Sequence, residues 1–322
     1  MTANTFFLTP RPPFRLDLTV WTLRRRPDNA VDRWDGREYR RVLPLSGEPV
    51  DVAVRQVGSP ASPKLKISAQ GRHLPAHTKA VVSTGLERLL GLELDLAPFY
   101  RFTERRKPLR ALAMRFRGMK PPRFASVFEG LINAIACQQL TLTVGIRLLN
   151  RLARACGMEF DGSGTVAHAF PRPGDLVNVS PATLRTLGFS RQKGRAILEL
   201  AGSVAEGNLE LESLSALPDE AAVARLRELR GVGRWTAEYV LLRGLGRVHV
   251  FPGDDVGARN NLQSWLGLPE PLDYEGVGRT LHRWREFGGL IYFHLLLDRL
   301  AAAGVIETEA TAKRPVAAVA AR

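Results

Sequence analysis

The chain has 322 residues, 45% of them apolar and 24% charged. This length and balance predict roughly two folded domains and exclude disordered and collagen-like chains. With 46 Lys and Arg against 32 Asp and Glu, the net charge of +14 indicates a polyanionic partner, nucleic acid first. Two cysteines exclude a disulfide framework and a four-cysteine zinc or iron–sulfur site, and no apolar run has membrane-spanning length.

The pattern of residues 1–110 predicts a small α+β domain. Three stretches alternate apolar and polar side chains, as half-buried antiparallel strands do: 16–20, 50–54 and 65–67. A short helix is predicted over Pro27 to Trp34, and apolar residues at helical spacing predict another from His77 to Leu90. This domain also carries most of the charge excess, with 20 basic against 11 acidic residues.

A basic segment leads into the second domain, which is predicted over residues 111–304. Residues 101–124 contain nine Lys or Arg and one acid, and we expect them to face DNA. The following pattern predicts an all-α domain with helices at 126–138, 142–155, 181–187, 191–206, 219–229, 234–245, 256–266 and 276–302. Residues 305–322 show no apolar periodicity and predict a mobile tail.

A glycine turn joins two of these helices. Gly231 and Gly233 flank Val232, and glycine accepts positive φ and leaves backbone amides open to approach. Free N–H groups at the start of the second helix would hold a DNA phosphate without reading a base, helped by Arg230 and Arg234. By itself, such a turn is equally compatible with an ordinary αα-hairpin packed in a core.

Two adjacent acids stand 21 and 22 residues after Gly233. Asp254 and Asp255 follow a Pro-Gly turn and a strand-like stretch at 248–251, at the head of a predicted helix. An N-cap is the ordinary role of aspartate at a helix start. Two in succession would leave one carboxylate free.

Hairpin and acid pair together resemble the helix-hairpin-helix (HhH-GPD) DNA glycosylase superfamily, in particular the AlkA type of 3-methyladenine DNA glycosylase. The strongest matches are LRELRGVGRWTAEYVLLRGLG and FPGDDVGARNNL, and the resemblance extends from RPPFRLDLTVWTL to about Leu300. It implies a TATA-binding-protein-like antiparallel sheet in an α+β N-terminal domain, followed by an all-α helix-hairpin-helix glycosylase domain.

The resemblance also implies roles for individual residues. Asp255 is then the catalytic carboxylate, and Asp254 is an auxiliary acid that orients or caps. The DNA phosphate is expected on the hairpin, at Arg230, Gly231, Gly233, Arg234 and Thr236. The base pocket is expected to contain Trp235, Tyr239 and Leu296, and the wedge that fills the gap left by a flipped nucleotide is Gln139, with Leu140 beside it.

Two positions refine this expectation. Leu296 stands where similar AlkA proteins carry a pocket tryptophan, so either Tyr292 or Phe293 compensates or the preferred lesions differ. Trp235 stands where glycosylases of this superfamily that also nick the backbone carry a Schiff-base lysine, which implies a monofunctional enzyme. From spacing alone, Trp235 and Tyr239 at i and i+4 are more typical of core packing, and only the resemblance favours the pocket.

The resemblance therefore implies a monofunctional DNA glycosylase that flips out and hydrolytically excises alkylated purines, the 3-methyladenine and 7-methylguanine class, in base excision repair. Its expected partner is double-stranded DNA with damaged bases, and we expect a cytoplasmic, nucleoid-associated monomer without membrane contact. No cofactor, catalytic metal or iron–sulfur cluster is expected, and a structural monovalent cation at the hairpin stays open. Two alternatives also stay open: a non-catalytic DNA-damage-binding protein, and a glycosylase for deaminated or oxidised bases.

Overall fold

The computed structural model describes residues 1–162 and 164–306. The N-terminal part contains a five-stranded antiparallel sheet in the order β1-β5-β4-β3-β2. Its strands are β1 Thr2–Leu8, β2 Arg33–Trp34, β3 Glu38–Leu45, β4 Glu48–Gln56 and β5 Leu65–Gly71. Helices α1 Leu16–Arg24 and α2 Thr78–Leu90 accompany the sheet. The predicted strands at 50–54 and 65–67 and the helix from His77 are thereby confirmed.

Two N-terminal predictions are wrong. The alternating stretch 16–20 is the first part of helix α1, because this helix is buried on nearly every face and so has no polar stripe to reveal its period. Leu16 and Val20 pack against the sheet, while Leu18 packs into a separate apolar cluster formed by the C-terminal helices. Residues 27–32 are a loop and not a helix, since the side chain of Asn29 accepts the backbone N–H groups of Val31 and Asp32, and residues 33–34 form strand β2.

Helices dominate the rest of the chain. They are α3 Ala97–Thr103, α4 Lys107–Arg115, α5 Val127–Cys137, α6 Leu142–Cys156, α7 Pro173–Leu176, α8 Pro181–Thr186, α9 Arg191–Ala205, α10 Asp219–Arg227, α11 Arg234–Arg243, α12 Val256–Leu266, α13 Tyr274–Leu281 and α14 Gly288–Ala302. Short 3₁₀ helices cover Leu211–Ala216 and His282–Phe287. Seven of the eight predicted helices are confirmed within two residues at each end.

The prediction of one helix over 276–302 is wrong. The chain breaks into α13, a 3₁₀ turn and α14, because α14 begins against the loop that precedes the acid pair. The carbonyl of Val248 accepts the N–H groups of Gly289 and Leu290 at 2.8 and 3.2 Å. A side chain on Gly289 would lie 2.7 Å from that carbonyl, so only glycine permits this approach.

Two further expectations about the second half need correction. It is not purely helical, since β6 Glu159–Gly162 and β7 Thr165–His168 form a small antiparallel hairpin. The stretch 248–251 is not a strand, and the carbonyl of Val248 accepts from the start of α14 in place of a neighbouring strand. Of the predicted tail, Ile306 is buried in the core, and residues 307–322 lie outside the described part of the chain.

A buried ionic network joins the sheet to helix α5. Arg41 on β3 donates to Asp32 at 2.7 Å and to Glu129 at 2.5 Å, and all three side chains are nearly inaccessible. Tyr39 adds a hydrogen bond to Asp32 at 2.8 Å. These two carboxylates hold the pKa of Arg41 well above its ordinary value against the opposing effect of burial. The sheet and the helical part are therefore fixed to one another.

Candidate active site

One open cleft of about 1510 Å³ runs between the helices of the second half. Its walls are the turn between α5 and α6, the start of α9, the glycine hairpin before α11, the start of α12 and one face of α14. All twelve site residues predicted from the sequence line it: Gln139, Leu140, Arg230, Gly231, Gly233, Arg234, Trp235, Thr236, Tyr239, Asp254, Asp255 and Leu296.

Asp255 lies at the start of α12 with its carboxylate fixed from two directions. Oδ1 accepts the backbone N–H of Ala258 at 2.9 Å, which makes Asp255 the N-cap of the helix. Oδ2 accepts the indole N–H of Trp235 at 3.4 Å and the hydroxyl of Tyr292 at 3.3 Å. Burial and the charge of Asp255 raise the pKa of Tyr292 well above its ordinary value, so this hydroxyl remains a donor.

The neighbouring acid has a different partner. Asp254 forms a two-point ion pair with Arg234, with N–O distances of 2.7 and 3.1 Å. One of the two acids is expected to cap the helix, and the structure makes this Asp255, while Asp254, expected to orient or cap, pairs with Arg234. Only the second oxygen of Asp255 is turned to the cleft. A helix N-cap uses one carboxylate oxygen, so a single residue serves both purposes.

Helices α11 and α13 hold the Pro-Gly turn before the acids. The Glu238 carboxylate accepts the N–H of Gly253 at 3.0 Å and the hydroxyl of Tyr274 at 2.6 Å. Burial raises the pKa of Glu238. The guanidinium of Arg234 stacks 3.6 Å above the Tyr274 ring. Neither Glu238 nor Tyr274 was singled out from the sequence, because nothing local marks a residue that supports a turn fifteen positions away.

Aromatic side chains form the inner wall of the cleft. The rings of Trp235 and Tyr239 lie 5.4 Å apart at 32°, with Trp235 half-buried and Tyr239 buried. The Tyr239 hydroxyl accepts from Arg25, the residue that ends α1, at 2.7 Å. Tyr292 lines the cleft beside Leu296, whereas Phe293 is fully buried under Arg243 and does not. Of the two residues expected to compensate for Leu296, Tyr292 is in the required place.

The glycine hairpin has the geometry expected of a phosphate site. Gly231 has φ +77°, a left-handed conformation that favours glycine. Gly233 is the N-cap of α11 without a side chain to cap it, so the first amides of that helix have no intrahelical partner. Both glycines are exposed, and Val232 between them is buried. Val232 therefore anchors the hairpin in the core, while the backbone N–H groups at the start of α11 remain open to a ligand.

The wedge turn between α5 and α6 is joined to the hairpin. Gln138 donates its side-chain amide to the Gly231 carbonyl at 2.7 Å and to the Thr236 hydroxyl at 2.9 Å. Lys193 on α9 donates to the carbonyls of Ala136 and Gln138 at 3.0 and 2.7 Å. Gln139 follows in a left-handed conformation with φ +54° and is exposed. Gln138 and Lys193 are supports that sequence reasoning missed, and only the first lies beside a predicted residue.

The two arginines of the hairpin, Arg230 and Arg234, are already paired with acids. Arg230 contacts Glu199 at 2.5 Å, and the same carboxylate accepts from Arg195 at 2.7 Å. Hydrogen bonds from these two guanidinium groups lower the pKa of Glu199. A phosphate that binds here must therefore replace Glu199 at Arg230 and Asp254 at Arg234.

Comparison with known proteins agrees with this geometry. The model of the HhH-GPD superfamily, described as a base excision DNA repair protein, matches residues 132–286. The solved 3-methyladenine DNA glycosylase of Archaeoglobus fulgidus is 29% identical, with TM-score 0.78 over 92% of this chain and 99% of that one. The chain is thus similar to AlkA-type members of the HhH-GPD superfamily.

Two curated relatives are named as DNA-3-methyladenine glycosylases, that of Bacillus subtilis as a putative one. The Bacillus subtilis protein YfjP is 28% identical over 291 residues, which cover 89% of this chain and 96% of the relative. DNA-3-methyladenine glycosylase 2 of Escherichia coli is 31% identical over 178 residues, covering 55% of this chain and 60% of that protein. Within residues 1–162 and 164–306, no three His, Cys, Asp or Glu side chains gather as metal ligands. No helix of the same ranges is long and apolar enough to cross a membrane.

Proposed function

We propose that this protein is a monofunctional DNA glycosylase that excises alkylated purines, of the 3-methyladenine and 7-methylguanine class, in base excision repair. The observation that carries the proposal is the carboxylate of Asp255, whose Oδ2 faces the cleft between two hydrogen-bond donors, beside an open phosphate hairpin. The similar proteins from A. fulgidus and E. coli, named as 3-methyladenine glycosylases, support the substrate class.

Cleavage of an N-glycosidic bond develops positive charge on the sugar as the base departs. A fixed carboxylate under the sugar stabilises that charge without reorganising during the reaction. Trp235 and Tyr292 keep Oδ2 in one place, and the cap to Ala258 keeps Oδ1 in another. The carboxylate also orients or deprotonates the attacking water, which becomes the new hydroxyl of the sugar.

The pocket wall suits a base with reduced electron density. The Trp235 and Tyr239 rings offer an aromatic face, and a cationic alkylated purine gains about 0.5–2 kcal/mol against such a face. The target nucleotide must first leave the stack, at a cost of a few kcal/mol that is lowest for lesions that pair poorly. Gln139, exposed at the tip of the wedge turn, is the residue that we assign to the vacated space, with Leu140 next to it.

Hydrolysis without backbone nicking is proposed because no suitable amine lies near Asp255 among residues 1–162 and 164–306. Trp235 occupies the position at which a lyase of this superfamily carries its lysine. Lys193 lines the described cleft, but its ammonium is bound to the two carbonyls at the end of α5. An amine that donates to two carbonyls in this way is not available as a nucleophile.

The proposal also covers the binding partner, the cofactor requirement and the cellular location of the protein. The expected partner is damaged double-stranded DNA, held by a protein that acts as a monomer on the nucleoid. The reaction as proposed uses no cofactor, and no step is assigned to a monovalent cation, since the Gly231 carbonyl already accepts the Gln138 amide. We further propose that the five-stranded sheet corresponds to the TATA-binding-protein-like domain of AlkA proteins.

Base release from methylated duplex DNA tests the proposal. Wild-type protein should release 3-methyladenine or 7-methylguanine and leave abasic sites that are not nicked, and Asp255→Asn should not release either base. Asparagine is as good an N-cap as aspartate, so this variant removes the charge and keeps the helix start. Release by Asp255→Asn at the wild-type rate would refute the catalytic assignment. Tight binding to abasic DNA without any release would favour the non-catalytic alternative.

A further inference from the structure

A second basic surface lies on α3 and α4, outside the cleft. Between residues 101 and 117 the chain has seven Lys or Arg and one acid, Glu104, and all eight side chains are exposed. Arg115 is paired with Asp298. Six others have no ion-pair partner within residues 1–162 and 164–306: Arg101, Arg105, Arg106, Lys107, Arg110 and Arg117. This set of six is called the α4 surface below.

Aromatic rings hold two of these arginines against the protein. The Arg106 guanidinium lies 3.7 Å from the Phe102 ring centroid, and that of Arg117 lies 4.5 Å from Tyr100. Stacking restricts the side chain and leaves most of the N–H donors at the guanidinium edge open to solvent. This differs from the cleft, where Arg230 and Arg234 are each neutralised by an acid.

The α4 surface faces away from the cleft. Helix α14 presents Tyr292, Leu296 and Arg299 to the cleft. It contacts α4 through other residues, with His294 against Phe116 and Asp298 paired with Arg115. At 3.6 residues per turn, Asp298 lies about 200° around the helix from Leu296. The α4 surface therefore lies on the other side of α14 from the cleft, and the DNA-facing role predicted for this basic segment stays a prediction.

We propose that the α4 surface binds the phosphate backbone of a second DNA duplex while the cleft holds the first. Helix α4 has nine residues and is about 13 Å long, and over that length B-DNA presents roughly seven or eight phosphate charges. Arginine and lysine side chains without ion-pair partners match this density of charge and recognise no base. The two surfaces together let the protein pass directly from one duplex segment to another. The inference rests on the proposed function only in that the cleft binds DNA.

Competitor-dependent dissociation tests direct transfer. The protein is bound to a labelled duplex that contains a tetrahydrofuran abasic analogue, and rising concentrations of unlabelled, undamaged duplex are added. For wild type, the dissociation rate should increase with competitor concentration. The variant Arg105→Gln, Arg106→Gln, Lys107→Gln, Arg110→Gln should lose that dependence. If each cation faces one phosphate, the salt slope of second-duplex binding falls by about 3 to 4.

A matched variant distinguishes an effect of the α4 surface from an effect of net charge. Lys64→Gln, Lys66→Gln, Arg72→Gln, Lys79→Gln removes four exposed cations on β5 and around α2 and should keep the wild-type dependence. Equal loss in both variants, or a wild-type rate independent of competitor, would overturn the proposal. Single-turnover base release by the α4 variant should equal wild type and reports that it is folded. The transfer assay uses binding alone, so it remains informative if wild type releases no base.

Discussion

Two turns line the same cleft: the acid turn, which carries Asp254 and Asp255, and the wedge turn, which carries Gln139. Their functional side chains are held in opposite ways. In the acid turn, every polar side chain has a partner: Asp254 has Arg234, and Asp255 accepts from three donors. In the wedge turn, the supports lie one residue away from the tip, at Gln138, and Gln139 itself is exposed. A carboxylate that stabilises charge must be fixed before the reaction. A side chain that enters the base stack must be free to move into it.

The largest effect should come from the acid turn. Asp255→Asn should reduce single-turnover base release by about 10²–10³-fold, since a preorganised charge at the reacting centre is lost. Asp254→Asn is the matched control, because it removes an equal charge one residue away, and the ion pair of Asp254 with Arg234 is exposed to solvent. It should change the rate far less. Equal losses in the two variants would assign the chemistry to the pair and not to Asp255.

The next effect tests whether fixation of the carboxylate matters. Tyr292→Phe removes one of the two cleft-side donors to Oδ2 of Asp255. A hydrogen bond to a charged group contributes about 1.5–3 kcal/mol, so base release should slow about tenfold or more. Tyr274→Phe removes a hydroxyl from Glu238, which supports the turn without touching Asp255, and should have a smaller effect. A wild-type rate for Tyr292→Phe would show that the cap alone positions the acid.

Changes in the wedge turn should slow base release only when the target base is paired. Lys193→Met removes the donor to the carbonyls of Ala136 and Gln138, and base release from a paired lesion should slow about fivefold, equivalent to about 1 kcal/mol. Gln139→Ala should behave alike. Placing the lesion opposite an abasic site removes the pairing to be broken and should restore the rate. A loss that persists there would indicate general damage to the cleft.

The smallest effect concerns the acids that occupy the phosphate site. Glu199→Gln frees Arg195 and Arg230 for DNA. Exposed ion pairs are worth about 0.2–1 kcal/mol, so affinity for undamaged duplex should rise about two- to fivefold at low salt and less at high salt. Glu206→Gln changes the same charge outside the cleft and serves as the control in salt-dependent binding. An equal gain in both variants would attribute the effect to net charge.

Features of the site that depend on neighbouring residues could be predicted from the sequence, whereas contacts between residues far apart in the chain could not. The hairpin and acid pair could be predicted because each is a local signal, a glycine turn or a capped helix start. Tyr292 bonds to Asp255 across 37 residues and Gln138 to Thr236 across 98, and no local pattern marks such partners. Helix α1 was mistaken for a strand because it is buried between two apolar clusters, where amphipathic periodicity disappears.

The contact between Arg25 and Tyr239 makes the two parts of the chain depend on one another for stability. Arg25 belongs to the part of the chain that carries the sheet, and its guanidinium also donates to Asn133 at 2.7 Å. One buried side chain thus joins the sheet-bearing part to Tyr239 in the pocket wall of the helical part. Separating the two parts would leave buried polar groups unpaired, at about 1–3 kcal/mol each. Without residues 1–110, the helical part is therefore expected to be less stable than in the whole chain, because Tyr239 and Asn133 lose the partner they share.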